Sequence, residues 1–198
     1  MLAPSQLALL VALLFAPTTT WAQHGGEAPL DTKAPRDASQ FSFMIGAWAL
    51  EVKPKATSLA ARIHGAPKMQ GTWKAWRALE GWGIQDELRI TDASGNPVAL
   101  THFVRVFDPS LRRWSVSALD VYRAKFTAST AQRQGNEILT SAQNVVVDGK
   151  PALSRARITD VTPNGFRYHQ DRSTDGGRTW TEDVVVIDAR RTAAVAPR

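Results

Sequence analysis

From Ala47 to Ile187 the chain is a succession of short alternating or β-rich segments, each closed by turn chemistry, and helical periodicity almost vanishes. The candidate strands are Ala47 to Lys53, Met69 to Leu79, Gly83 to Thr91, Val98 to Phe107 and Arg113 to Val121, then Ala124 to Ala131, Glu137 to Val147, Ala152 to Val161, Gly165 to Ser173 and Thr179 to Ile187. Between them, Asp92-Ala-Ser-Gly-Asn-Pro97 cannot continue a strand, because Gly95 and Asn96 tolerate positive φ and Pro97 has no ladder donor. Asp108-Pro109-Ser110 is a type I turn signal, Gln134-Gly135-Asn136 and Asp148-Gly149-Lys150 are hairpin signals, and Thr162-Pro163-Asn164-Gly165 ends another strand. About ten short strands joined by adjacent hairpins form a meander, and closing it removes both exposed edges. The expectation is an all-β, up-and-down antiparallel barrel of about ten strands over residues 37–191. Asp37 to Ile45 reads as a short helical cap, with Asp37 or Ser39 as its N-cap.

The flanks read differently. An apolar run from Leu7 to Ala16, followed by Thr20-Trp21-Ala22, has the form of a signal peptide cleaved near Ala22. The run is short for a bilayer span and no second one follows, so a transmembrane segment is not expected and the place of action is the periplasm or outside the cell. Its start carries no Lys or Arg, a departure from the usual leader. Residues 23–36, rich in Gly, Pro and charge, read as a flexible lead-in, and residues 192–198 as a disordered tail. The longest irregular stretch, Pro54 to Lys68, has the length of a lid or short helical cap.

Composition removes several chemistries. With no Cys there are no disulfides, thiol nucleophiles or zinc–thiolate sites, so an exported domain must rely on its own packing. The net charge of +6 comes from Lys and Arg scattered singly along alternating segments, as on solvated strand faces, and nucleic-acid binding is not expected. Seven Trp in 198 residues mean large core anchors or an aromatic-lined cavity.

Phe43-Met-Ile-Gly46-Ala-Trp48 resembles the opening signature of lipocalin-like (calycin) barrels, a Gly-x-Trp at the start of the first strand. The resemblance implies that Trp48 plugs one end of the barrel under an Arg from near the last strand, for which Arg190 and Arg191 are the candidates. The mature chain also resembles a family of exported bacterial domains of unknown function with such a barrel, through Ile45 to Trp48, Gly71-Thr-Trp73, Gln85-Asp-Glu87, Arg105 to Pro109 with Arg113-Trp114, and Ser173 to Trp180. That likeness implies a fold and no activity. Ser173-x-Asp175-x-Gly177-x-Thr179-Trp180 matches an Asp box, but a sialidase propeller needs several copies and one is present, so a structural turn is expected.

For chemistry, neighbours on a strand face opposite ways, so only one of Asp86 and Glu87 can enter the lumen, where Arg105 on the next strand is its cross-strand mate. Such a pair either recognises a polar head group or ties the wall together. Trp73 with Arg77, Trp114 with Val116, and Phe166, Tyr168, Gln170 and Arg172 form further same-face sets. If these converge, Trp73, Arg77, Glu87, Arg105, Trp114, Tyr168 and Gln170 line a ligand site; the same residues also describe a filled core. His24 and His64 read as surface residues, and His102 or His169, if inward, offers a single imidazole to a haem, although no metal-spaced pair occurs and no cofactor or metal is expected. No G-x-S-x-G nucleophile or phosphate-cradling loop is present. The expected role is binding of a small, mainly apolar molecule in the lumen. The alternatives are an enzyme using an inward carboxylate with Arg105 and Tyr168 on a lipid-like substrate, and an envelope interaction protein with a filled core. No oligomeric state follows from the residues.

Overall fold

The computed structural model describes residues 32–56, 63 and 65–192. The leader, most of the lead-in with His24, His64 and much of its loop, and residues 193–198 lie outside the described residues. Contacts divide the chain into Met1–Thr32 and Lys33–Arg198, and the barrel belongs to the second.

Two 3-10 turns, Arg36–Ser39 and Ser42–Met44, precede eleven strands: β1 Gly46–Pro54, β2 Met69–Ala78, β3 Gly83–Asp92, β4 Pro97–Asp108, β5 Arg113–Asp120, β6 Lys125–Gln134, β7 Glu137–Thr140, β8 Gln143–Val147, β9 Lys150–Thr162, β10 Gly165–Ser173 and β11 Thr181–Arg191. All pairings are antiparallel, consecutive strands are neighbours from β1 to β7, and β9–β10, β10–β11 and β11–β1 complete the cylinder. The sequence segment Glu137 to Val147 is one wall position in two pieces, so eleven strands make a ten-position barrel. The strand interrupts at Ser141 and Ala142, where side-chain hydroxyls replace the ladder: Thr140 Oγ1 accepts from Ala156 N (2.7 Å) and donates to Ala156 O (3.2 Å), and Ser141 Oγ accepts from Thr130 N (2.9 Å).

The cap differs from expectation in one detail. Its first turn starts at Arg36 with Pro35 as N-cap, and neither Asp37 nor Ser39 caps it, because proline's fixed φ and the tight 3-10 geometry start the turn without a side-chain acceptor. At the other end Thr192 is not tail: its N–H donates to Ala47 O at 2.9 Å.

Alternation on the strands builds the core. Trp48, Trp73, Trp114, Phe41, Met44 and Ile187 are the largest fully buried apolar side chains among the described residues, and the aromatic rings of the core form edge contacts: Trp48 to Phe166 at 4.9 Å, Phe166 to Trp73 at 5.6 Å, and Phe41 to Trp114 at 4.8 Å. Trp48 donates Nε1–H to Met44 O at 2.7 Å, so the indole is buried with its polar atom satisfied.

The Arg over Trp48 is Arg191, with Cζ 4.1 Å from the ring centroid; Arg190 is not in that place. Register explains the difference, since Arg191 stands opposite Trp48 while Arg190 stands opposite Ala49 on the outer face. Arg191 also donates from Nε to Pro163 O (2.7 Å), from Nη1 to Ile45 O (2.9 Å) and from Nη2 to Phe43 O (3.0 Å), joining the cap, the β10 turn and the plug. Gly46 makes room for this: its φ is +128°, and a Cβ there would stand 2.5 Å from Arg191 Nη1.

Gly46→Ala should therefore lower unfolding free energy by about 2 kcal/mol or more, combining a backbone conformation closed to alanine with displacement of Arg191. Urea denaturation followed by tryptophan fluorescence measures it, and an unchanged midpoint would sink this account of the plug.

Candidate functional site

Ile84, Asp86 and Leu88 on β3 and Phe103, Arg105 and Phe107 on β4 share the inward face, because Ile84 pairs with Arg105 and Asp86 with Phe103. Asp86 is the inward carboxylate; Glu87 falls on the outer face opposite Lys74 and His102, and its place as a lumen residue is corrected. Asp86 is 0% exposed and is fully engaged. Trp73 Nε1 donates to Oδ1 at 2.7 Å, Arg105 Nε to Oδ2 at 2.6 Å and Arg105 Nη2 to Oδ1 at 3.0 Å. The Arg105 guanidinium lies 4.7 Å from the Phe103 ring centroid and 5.2 Å from that of Phe41. A charged pair in this position survives desolvation because it is bidentate, stacked and joined by an indole donor.

Beyond this pair the lumen keeps a cavity of about 60 Å³. Phe41, Trp73, Leu88, Phe103, Val116 and Ile158 form its apolar wall, and Arg105, Ser129, Thr140, Gln143, Ser154, Tyr168 and the edge of Arg155 its polar one. Asp86 does not line it, since it sits behind Arg105. The remaining donor, Arg105 Nη1, and the Tyr168 hydroxyl make no hydrogen bond among the described residues, and neither is a sealed-off polar atom. Burial pushes the Tyr168 hydroxyl up to about 12, outweighing the lowering influence of Arg105, so it is a donor at any ordinary pH.

The other expected site residues divide. Trp73 lines the cavity, and Gln170 faces inward and donates to Ser154 Oγ at 2.8 Å. Trp114 is inward but packs between Phe41 and Phe107 outside the cavity lining, with Nε1 donating to Gln40 Oε1 at 3.3 Å. Arg77 is exposed at the rim: it still pairs with Ile84 on β3, but the ladder to β1 stops two residues earlier at Gly46 and Ala75. Neither His102 nor His169 faces the lumen: His102 lies against Trp76, 5.8 Å between ring centroids, and His169 bonds Asp183 and Thr159 on the outer face. Among the described residues no group of three or more His, Cys, Asp or Glu is placed to hold a metal ion.

The Asp box is a self-contained hairpin. Ser173 Oγ donates to Asp175 Oδ1 at 2.7 Å and accepts from Gly177 N at 2.9 Å, Thr179 Oγ1 donates to Asp175 Oδ2 at 2.6 Å, and Trp180 Nε1 donates to Gly177 O at 3.2 Å. Gly176 and Gly177 take the positive φ angles.

Sequence reading passed over a second set on the outer face. Asp171, 3% exposed, accepts from Arg155 Nε at 3.0 Å and from Arg157 Nη1 at 3.3 Å, and Arg157 Nη2 donates to Asp183 Oδ1 at 2.9 Å. The signal was available as the Arg-x-Arg spacing of Arg155 and Arg157, which puts both on one face of a strand.

No family model and no curated protein matches the chain. Among solved structures it aligns with a protein of unknown function from the DUF3598 family of Nostoc punctiforme PCC 73102, at 8% identity and a TM-score of 0.22, over 80% of this chain and 100% of that one.

Two outcomes follow. Asp86→Ala strands a buried guanidinium and should cost about 3–5 kcal/mol, whereas Asp86→Leu combined with Arg105→Met should recover most of it, as chemical denaturation of the three proteins will show. The Asp175 carboxyl is held down to about 2, first by the Thr179 hydroxyl, then by the Thr179 N–H and Ser173. Because the folded value lies below the ordinary 3.8, its contribution to hairpin order is complete above about pH 4 and is lost as pH falls through about 2. A side-chain carboxyl titration by NMR should find that midpoint, and Thr179→Val should move it upward.

Proposed function

We propose that the protein is an exported, lipocalin-like barrel that binds a small, mainly apolar molecule carrying one acceptor oxygen. The observation behind this reading is the pairing of two unused donors, Arg105 Nη1 and the Tyr168 hydroxyl, with the apolar wall of the cavity. Because Asp86 neutralises Arg105, the site offers hydrogen bonds without net charge, which suits a carbonyl, amide or alcohol better than a free anion. The Trp48–Arg191 stopper supports the lipocalin-like comparison at the closed end.

Size limits the ligand. A single water needs roughly 10–15 Å³, so 60 Å³ takes a few waters or a group of a few heavy atoms, well below the roughly 300–1,000 Å³ of drug-sized sites. A longer molecule enters where the wall is weakest. β6 pairs with β7 only through Ala131 to Gln134 and β8 pairs only with β9, so no ladder joins Lys125 to Ser129 with β8, and Ser129 and Gln143 line the cavity from either side of that seam.

The test is native mass spectrometry of the full-length protein recovered from its host's periplasm. A small-molecule adduct is expected on the wild type, weakened about three- to tenfold in Tyr168→Phe through loss of one hydrogen bond and absent in Ala118→Leu, which fills the cavity. An adduct that survives Ala118→Leu would place the ligand elsewhere and overturn this reading.

A further inference from the structure

The outer cluster of Arg155, Arg157 and Asp171 borders a groove of about 500 Å³ that crosses β5, β6, β7 and β9. Its lining is polar: Arg113, Thr130, Gln132 and Gln134 on one side and Arg155 and Arg157 on the other, with Leu139 on the floor. We propose that this groove binds an acidic oligosaccharide, with carboxylates at its two ends and hydroxyls between. The groove shares Thr140, Arg155 and Ala156 with the lining of the lumen cavity, but the proposal does not rest on a ligand in the lumen.

Three observations carry it. First, the arginines on the β9 side are built into place. The buried Asp171 carboxylate uses both oxygens on Arg155 and Arg157, and Asp183 takes a second Arg157 donor. The backbone is bent to allow this, since Asp183 has φ +56° and its N–H donates to Asp171 Oδ1 at 3.1 Å. Arg155 is further steadied over the Trp180 ring at 4.3 Å, which leaves both of its Nη groups without a protein partner among the described residues and bordering the groove.

Second, Arg113 stands exposed at the opposite side and makes no hydrogen bond or ion pair among the described residues. β5 and β9 are separated by β6 and β7, so their backbones lie about 14 Å apart at three interstrand spacings. Two cationic ends at that separation, long side chains reaching inward, fit a ligand of more than one sugar ring. Asp171 and Asp183 engage Arg157 and the Nε of Arg155, so the cationic donors left facing the groove are the Arg155 Nη groups at one end and the Arg113 guanidinium at the other.

Third, the floor between the ends has the chemistry of hydroxyl recognition. The Gln132 and Gln134 amides make no side-chain hydrogen bond among the described residues, and the Thr130 and Ser141 side chains add hydroxyl groups. Among the described residues no aromatic ring lines the groove, so stacked nucleobases have no platform, and Leu139, the one large apolar side chain among them, is too little for a lipid chain.

Isothermal titration of the full chain with tetragalacturonate, galacturonate and the neutral maltotetraose tests the assignment. The acidic tetramer should bind more tightly than the monomer, maltotetraose should not bind, and Arg113→Ala and Arg155→Ala should each weaken the tetramer about tenfold, the effect of one lost charge-assisted contact. Arg113 makes no side-chain hydrogen bond and only faces Asp108 across the ladder at the exposed strand end, so a matched unfolding midpoint for its variant separates lost binding from lost fold, and Arg89→Ala on β3 should leave affinity unchanged. No binding of the tetramer, equal binding of maltotetraose, equal affinity for monomer and tetramer, or an equal loss in Arg89→Ala would each overturn the proposal.

Discussion

Closing ten strand positions into a cylinder leaves two open mouths, and the structure depends on how one of them is stopped. Trp48 fills it, Arg191 covers Trp48, and three backbone carbonyls at Phe43, Ile45 and Pro163 hold Arg191. The indole alone would be a large apolar group at a solvent boundary. The guanidinium makes that boundary polar while keeping its flat face on the ring, a cation–π contact of roughly 0.5–1 kcal/mol that also binds the first strand to the last. Gly46 is required because the cation passes through the space a side chain would occupy.

With that mouth shut, the lumen is graded along its length. Near the plug it is a close-packed aromatic core, and toward the middle it carries a buried ion pair whose members are held by a third group, the Trp73 indole. A pair of this kind is weak evidence for stability, because well-packed apolar residues would serve as well. Its geometry makes more sense as positioning: Asp86 uses one edge of Arg105 and leaves another facing the cavity beside Tyr168.

Most of the architecture was legible because a period of two is hard to mistake when each run ends in Gly, Pro or Asn. Strand limits follow the turn residues within a few positions, and Phe103, Arg105 and Phe107 share a face as alternation requires. What could not be read was phase between neighbours. Asp86 and Glu87 are chemically alike, and only the pairing of Asp86 with Phe103 and Ala75 decides which enters. Arg190 and Arg191 pose the same problem, settled by the register that sets Arg191 against Trp48. Arg77 has the inward phase and pairs with Ile84 on β3, but the ladder to β1 has already stopped at Gly46 and Ala75, a matter of strand stagger that leaves no local mark. The broken strand was hidden too, because Thr140 and Ser141 fit a strand as well as they fit a patch of side-chain hydrogen bonds.

β9 and β10 show how one stretch of wall serves two surfaces. Ser154, Ala156 and Ile158 face Arg172, Gln170 and Tyr168 across the inner side, while Arg155 and Arg157 meet Asp171 and His169 on the outer side. The inner set is mostly uncharged and leaves room; the outer set is charged and cross-linked through Asp171, which is 3% exposed on the outside of the barrel. A register slip of one residue would exchange them, burying two guanidinium groups in an apolar lumen and setting Ile158 and Tyr168 in water. The bulge at Asp183 lets the outer network form without that slip: it takes up the mismatch between β10 and β11 after Gln170, and the strained residue is held by the Asp171 carboxylate that anchors the arginines. The same interactions that fix the register of this wall therefore also order the arginine side chains on its outer face.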